Sequence, residues 1–478
     1  MLAGKRLTGM RGFSLMWLGQ LLSLTGTMMT GFALTIWAWL ETGSATALAL
    51  VGFFSFAPTI IFSPVAGALV DRWNRKTVLI AADLASGMGT LAILILYSTG
   101  SLEIWHFYVV GIVSGLFQAL QWPAFSATIS TIVPKENYAR AQGMVSVAEA
   151  GSMIVAPILA AALIGSIGIS GIMCIDLMTM SFAVIALLPV FIPKVNGNSK
   201  TADGKPNLWS EIKYGFSYIK ERKGLLYLLM FFLTFNLLSG MAGPLYAPLI
   251  LSKTGNDQVA LGSIMSALGV GGVLGGITLA VWGGPKRKIH GVLMGGALSG
   301  VTSVCFALVG NIYAWAAVGF LIMFVGPFCG GSSQAIWQAK VAPEVQGRVF
   351  ATRRMIAQVS APIAMLIVGP LADQVFEPAM AEGGSLAPTF GGLVGTGPGA
   401  GMALIILLTS AMVIVVAISA YLVKPIRNVE RDLPDHDAVK LKEDADEPRA
   451  AAPIGDGAPA TAVTSVAGNL PEPGSSGA

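Results

Sequence analysis

Apolar runs long enough to cross a lipid bilayer recur along this chain, separated by short polar turns, and that repetition leaves few folds open. A helix needs roughly 20 apolar residues to span the hydrocarbon core. On that rule the sequence predicts twelve spans, at about 13–40, 46–70, 77–98, 104–131, 139–165, 170–192, 225–251, 259–282, 289–309, 312–339, 348–373 and 400–424. Only 11% of the 478 residues are charged and 54% are hydrophobic, with a mean hydropathy of +0.72. Soluble domains carry about 25% charged residues, so the chain reads as an all-α polytopic membrane protein. The apolar run after Lys5, Arg6 and Arg11 is too long for a cleaved leader and is expected to stay as the first anchor.

The charges test the span count. With the N-terminus placed in the cytoplasm and the sides alternated, 28 of the 29 Lys and Arg fall on cytoplasmic segments or the helix ends beside them, and only Lys253 does not. The outer loops carry Glu41, Glu103, Asp257, Glu377 and Glu382. A wrong count would scramble this partition, so the enrichment of cations on the cytoplasmic side supports twelve spans with both termini inside.

The chain divides six plus six. Residues 1–192 form an N-terminal six-helix bundle, 193–223 a cytoplasmic linker, 224–424 a C-terminal bundle and 425–478 a polar cytoplasmic tail expected to lack fixed structure. Within the linker, Trp209, Ile212, Phe216 and Ile219 recur at helical spacing, as in a helix lying on the membrane face or packed on the protein. A shift of 212 residues lays Thr42-Gly43 on Thr254-Gly255 and Arg75-Lys76 on Arg287-Lys288 without a gap. An inverted echo joins GALVD, Gly67 to Asp71, with GPLAD, Gly369 to Asp373. Parallel and inverted repeats together mark transporters that rock two halves around a central site. The outer segment 374–398, rich in Gly and Pro, is expected to form a cap or lid.

Between spans two and three stands GALVDRWNRK, Gly67 to Lys76. A charged turn of this kind holds the hairpin in the cytoplasm, and Asp71 is placed to accept hydrogen bonds from a facing helix N-terminus. Gly67, Asp71, Arg72, Arg75 and Lys76, with Arg348, Arg353 and Arg354 at the start of span eleven, are the expected conformational latch. The string GxLxDRxxRK resembles the signature between the second and third helices of the major facilitator superfamily, with Asn74 in place of the usual glycine. Three further stretches are similar to its drug:proton antiporter branch, which includes macrolide efflux proteins and the enterobactin exporter. They are the TGSAT after span one, QWPAFSATISTIVPKENYARAQG (Gln121 to Gly143) and GRVFATRRMIAQVSAPIAMLIVGPLAD (Gly347 to Asp373). The resemblance covers residues 10–425 and implies two six-helix bundles related by a pseudo-twofold axis. It also implies proton-driven export across a bacterial cytoplasmic membrane.

Ionisable groups inside apolar spans are costly and are functional candidates by default. Glu149, Asp176 and Asp83 are the proton-coupling candidates, since a carboxylate in a low-dielectric site can take up a proton near neutral pH. Glu149 and Asp176 also read as packing carboxylates satisfied by hydroxyls such as Ser152 or Thr179, and Asp83 as part of a charge network with Arg72 or Arg140. The candidate cavity wall is Gln20, Thr27, Thr30 and Trp37 on span one and Gln118 and Gln121 on span four. It continues with Asn236 on span seven and Gln334 and Gln338 on span ten. An apolar pocket with a few polar points suits an amphipathic ligand, and methionines adapt its walls.

No catalytic constellation competes. His106, His290 and His436 are scattered, Cys174, Cys305 and Cys329 have unrelated spacing, and there is no phosphate-binding loop. No metal, cofactor or nucleic acid is expected. The expected partners are a small-molecule substrate, protons and the bilayer, for a protein acting as a monomer. An importer or lipid transporter of the same fold, or a non-transporting receptor or scaffold, remains an alternative at this stage.

Overall fold

In the bilayer every backbone polar group must be satisfied within its own segment, so each apolar run folds as a helix. The computed structural model describes residues 7–193 and 208–436, apart from the side chains of residues 64, 67, 68, 71, 72, 139, 208–212, 343 and 344. Its helices are α1 (Gly9–Thr42), α2 (Ala45–Arg72), α3 (Arg75–Ser98), α4 (Ile104–Ile132), α5 (Tyr138–Leu187) and α6 (Leu208–Glu221). There follow α7 (Lys223–Ala242), α8 (Tyr246–Lys253), α9 (Gln258–Trp282), α10 (Lys288–Leu308), α11 (Ile312–Lys340) and α12 (Pro343–Pro370). Last come α13 (Glu377–Met380), α14 (Ala387–Val394), α15 (Ala400–Leu422), α16 (Lys424–Arg427) and α17 (Val429–Asp432).

Eleven of the described segments are long and apolar enough to span a membrane. One of them, α5, runs for 50 residues and is two helices meeting at Gly168, whose φ of 68° breaks the helix. That makes twelve spans. Gly243-Pro244 interrupts span seven between α7 and α8 with a 3₁₀ turn, as a missing backbone donor requires.

The parallel repeat has a shared local geometry. Gly43 (φ 57°) and Gly255 (φ 66°) both take the left-handed conformation that glycine adopts without penalty. Thr42 and Thr254 each donate to the carbonyl four residues back, Ala38 and Ile250. In both halves the second helix also packs on the fourth through small residues. A Cβ on Gly115 of α4 would lie 2.5 Å from the Ser55 carbonyl of α2, and one on Gly271 or Gly275 of α9 would lie 2.0 or 2.1 Å from the Phe320 or Phe324 carbonyl of α11. The glycine pair sits on the fourth helix of the first half and on the second helix of the other. Backbones that approach this closely are how membrane helices pack without a hydrophobic driving force between them.

Two seams join the halves, α2 against α12 and α5 against α9. At the first, Gly369 meets Thr46, where a Cβ would lie 2.5 Å from the Thr46 Cα. At the second, Gly262 meets Ala161 and the Pro157 carbonyl, and the Ser266 hydroxyl donates to the Ile154 carbonyl at 2.8 Å.

Of the two readings of the linker helix, α6 packs on the protein: Ile219 is fully buried, and Gly215 brings α6 against Thr352 and the Arg348 carbonyl of α12. The start of the tail is ordered as far as His436. The buried Lys340 ammonium donates to the Glu430 carbonyl at 2.7 Å and pairs with Asp435 at 2.8 Å, while the Glu430 carboxylate caps α10 at the Lys288 and Ile289 amides. Segment 374–398 is likewise folded: the Glu377 carboxylate accepts from the Gly399 and Met402 amides at the start of α15. Residues 437–478 and 194–207 lie outside the described residues.

Candidate functional site

A cavity of about 1770 Å³ lies between the halves. Its wall is uneven: residues of α1 to α5 supply most of it, and the C-terminal half contributes only the stretch of α12 from Gly347 to Gln358. Gln20, Thr27, Thr30, Gln118 and Gln121 line it as the sequence predicts, with Met28 and Trp122. Ser55, Thr59, Ser114 and Gln358 line it too, and sequence reasoning missed them because small hydroxyls in apolar helices look like packing.

The other wall candidates stand elsewhere. Trp37 stacks on Phe107 at 5.3 Å between ring centroids and meets Tyr97 edge-on. Asn236 donates to the Ala357 carbonyl at 3.4 Å, Gln334 accepts from Arg353 at 3.0 Å, and the Gln338 carbonyl accepts from Gln346. Trp37, Asn236 and Gln334 are turned into their own halves, and the Gln338 side chain is exposed away from the cavity wall.

All three candidate carboxylates reach the cavity, and each is held differently. Asp83 is buried and accepts from the Gln20 amide at 2.9 Å and the Gln121 amide at 2.8 Å. Both of these donors are neutral. Arg140 does not pair with Asp83, and the Arg72 side chain lies outside the described residues. Asp176, 2% exposed, accepts from Thr27 of α1 at 3.0 Å and Thr90 of α3 at 2.8 Å. Glu149 is exposed to the cavity, and no hydrogen bond or ion pair reaches it among the described residues. Ser152, its suggested partner, instead shares a hydrogen bond with Thr25 at 2.8 Å.

The basic residues divide likewise. Arg348 and Arg354 line the cavity, and Arg348 also lies over the Tyr214 ring of the linker helix at 5.6 Å. Arg353 turns away, donating to Gln334 and Ser333 and lying 4.9 Å over the Trp337 ring. Arg75 donates to the Ala127 carbonyl and Thr131 at the end of α4, while Lys76 donates to the Leu188 and Val190 carbonyls. Both hold the basic turn to their own half. The side chains of Gly67, Asp71 and Arg72 lie outside the described residues.

The geometry expected of Asp71 occurs at its inverted counterpart. Asp373 follows α12 in a π-helical turn (Leu371–Phe376) and accepts from the Ser44 hydroxyl at 2.6 Å, the Ala45 amide at 3.0 Å and the Thr46 amide at 2.8 Å. One carboxylate thereby caps the first turn of α2 across the seam, where the helix dipole favours negative charge. The Trp39 indole donates to Asn256 at 3.1 Å on the same face. Among the described residues, the hydrogen bonds crossing between the halves are these and the Ser266–Ile154 bond, and none is at the face of the basic turns.

The profile of the Major Facilitator Superfamily matches residues 16–365. Macrolide efflux protein A of Streptococcus pyogenes is 26% identical over 367 residues, covering 76% of this chain and 90% of that protein. Multidrug efflux pump Tap of Mycolicibacterium fortuitum is 23% identical over 371 residues, covering 73% of this chain and 87% of that pump. Among solved structures, a bacterial homolog of the human lysosomal transporter Spinster, in an inward-facing and unoccupied conformation, superposes with a TM-score of 0.62 at 14% identity. It covers 85% of this chain and 97% of that one. A bacterial homologue of the iron transporter ferroportin, inward-facing, superposes at 0.60 and 15% identity over 86% of this chain and 98% of that one. Twelve membrane-crossing helices, repeated halves around one cavity and a profile match across most of the length lead to one assignment: the chain is a transporter of the major facilitator superfamily.

Proposed function

We propose that this protein exports an amphipathic small molecule, a drug or a secondary metabolite, from a bacterial cell in exchange for protons. It sits in the cytoplasmic membrane with both termini inside. The halves 1–192 and 224–424, joined by the linker 193–223, rock about the cavity, and the closed seams at the face opposite the basic turns make this arrangement inward-facing. Substrate enters between α12 and the N-terminal half, past Arg348 and Arg354, and rests on an apolar wall set with Gln20, Gln118 and Gln121.

The observation that carries the reading is Glu149: a carboxylate open to the cavity with no hydrogen-bond or ion-pair partner among the described residues. Such a group can exchange a proton on each side as access alternates. Proton and substrate then use one region in turn, which couples their opposite movements. The efflux relatives named above support the direction of transport.

Everted vesicles test this. An acid-interior pH gradient should drive accumulation of a fluorescent amphipathic substrate, and collapsing the gradient with an ionophore should release it. Accumulation that ignores the gradient removes the proton, and accumulation only in right-side-out vesicles reverses the direction. Saturable binding with no flux in either orientation makes the protein a receptor.

A further inference from the structure

Asp176 is one of two buried cavity carboxylates, with Asp83, that the exchange at Glu149 leaves unused. It lies in the second arm of α5, 2% exposed, yet borders the central cavity. Taking a carboxylate out of water costs several kcal/mol unless a cation or strong donors compensate. Among the described residues no Lys, Arg or His pairs with it, and its hydrogen-bond partners are the Thr27 and Thr90 hydroxyls.

A third hydroxyl completes the nook. Thr30 stands one turn along α1 from Thr27, also borders the cavity and is 4% exposed; its Oγ1 stands beside the Asp176 carboxylate but makes no well-formed hydrogen bond among the described residues. A buried hydroxyl left without a partner costs about 1–3 kcal/mol, so this one awaits something. Gly26 sets the spacing: a Cβ there would stand 3.0 Å from the Asp176 Cα and 2.3 Å from the Thr179 hydroxyl, so only glycine lets α1 approach this closely.

What these groups offer in common is lone pairs. A hydroxyl that donates to a carboxylate keeps its oxygen free to accept. Thr27, Thr30, Thr90 and the two carboxylate oxygens therefore make a cluster of hard oxygen acceptors with one net negative charge and, among the described residues, no paired cation. Hard oxygen ligands suit alkali and alkaline-earth ions, and a single carboxylate in a nook this enclosed matches one positive charge rather than two. We propose that Asp176, Thr27, Thr30 and Thr90 form a binding site for a dehydrated sodium ion, separate from the proton exchange at Glu149. The inference rests on the transporter fold and not on which ion drives export.

The intact protein in detergent, at fixed pH and ionic strength, provides the test. Sodium should raise the unfolding temperature saturably, by mass action on the folded state, and potassium or choline should not. Radioactive sodium should bind to the same half-saturation. Thr30→Val is the decisive variant. Its hydroxyl makes no well-formed hydrogen bond among the described residues, so Val should change the sodium-free unfolding temperature little. Sodium affinity should nevertheless fall about tenfold or more, the scale on which groups around a metal act. Asp176→Asn should abolish binding, with Thr90→Val standing in if that variant fails to fold. Equal response to sodium, potassium and choline in the wild type would overturn the site, as would unchanged sodium affinity in Thr30→Val. Export driven by a pH gradient is measured on the same preparation in vesicles. Its persistence alongside absent sodium binding removes this inference alone, and its absence alongside specific sodium binding removes only the proton reading.

Discussion

At the scale of the residue, the cavity sorts three acids by their neighbours. Asp83 and Asp176 are held by amides and hydroxyls, while Glu149 meets the cavity without a partner among the described residues. Charge in an apolar span was readable from the sequence, since ionisable groups are rare there and stand out. Their partners were not, because the Gln20–Asp83–Gln121 and Thr27–Asp176–Thr90 contacts join residues far apart in the chain. The difference has a kinetic consequence. Glu149→Gln removes the carboxyl on which the proposed proton exchange depends but no hydrogen bond that the structure shows, so folding and substrate binding should survive. Gradient-driven efflux in vesicles should fall by about tenfold or more, equivalent to a loss of at least about 1.4 kcal/mol. Asp83→Asn should be milder. Its amide still accepts from one glutamine, and the other can turn its amide to accept in exchange, so the unfolding temperature should move only slightly and efflux should persist.

At the scale of the element, lengths and breaks were legible and rotations were not. The division of 138–187 into two spans follows from its length, and Gly168 is where the structure divides it. The failure of Trp37, Asn236, Gln334 and Gln338 to reach the cavity is a matter of phase. An almost uniformly apolar helix gives no amphipathic stripe to fix which side faces inward. Small residues carry part of the missing signal: Gly111xxxGly115 and Gly271xxxGly275 mark the faces of α4 and α9 that pack on α2 and α11. Adjacent glycines of α9 provide an internal control. A Cβ on Gly275 would lie 2.1 Å from the Phe324 carbonyl, whereas one on Gly276 meets nothing within 4 Å. Overpacking costs roughly 1–3 kcal/mol, more than the gain of about 1 kcal/mol from alanine over glycine in a helix. Gly275→Ala should therefore lower the unfolding temperature in detergent and Gly276→Ala should leave it unchanged or raise it. Equal effects would mean that α9 and α11 do not pack as described.

At the scale of the whole molecule, the inverted echo between Gly67–Asp71 and Gly369–Asp373 carries the most weight. The sequence drew attention to the first copy, because its basic neighbours are conspicuous; the second is the copy whose acid is among the described side chains, and it reaches across the seam. On the rocking-halves reading proposed above, the Asp373 cap holds this face shut and is released when the face opens. Asp373 makes three hydrogen bonds to the first turn of α2. Hydrogen bonds to charged groups contribute about 1.5–3 kcal/mol each, and Asn in its place retains one acceptor oxygen. A loss of about 1.5–3 kcal/mol would shift the balance of closed to open by roughly 10- to 100-fold at this face. Spin labels at Glu41 and Val259, both exposed beside the closed seam, report the change directly. In the wild type they should give one dominant short distance, and Asp373→Asn should add a longer one. Initial efflux should then depend more weakly on the step that opens this face and become limited by reclosure. An unchanged distance distribution in Asp373→Asn would show that the Gly369–Thr46 and Gly262–Ala161 contacts hold the seam without it, and the acid would be a helix cap with no part in gating.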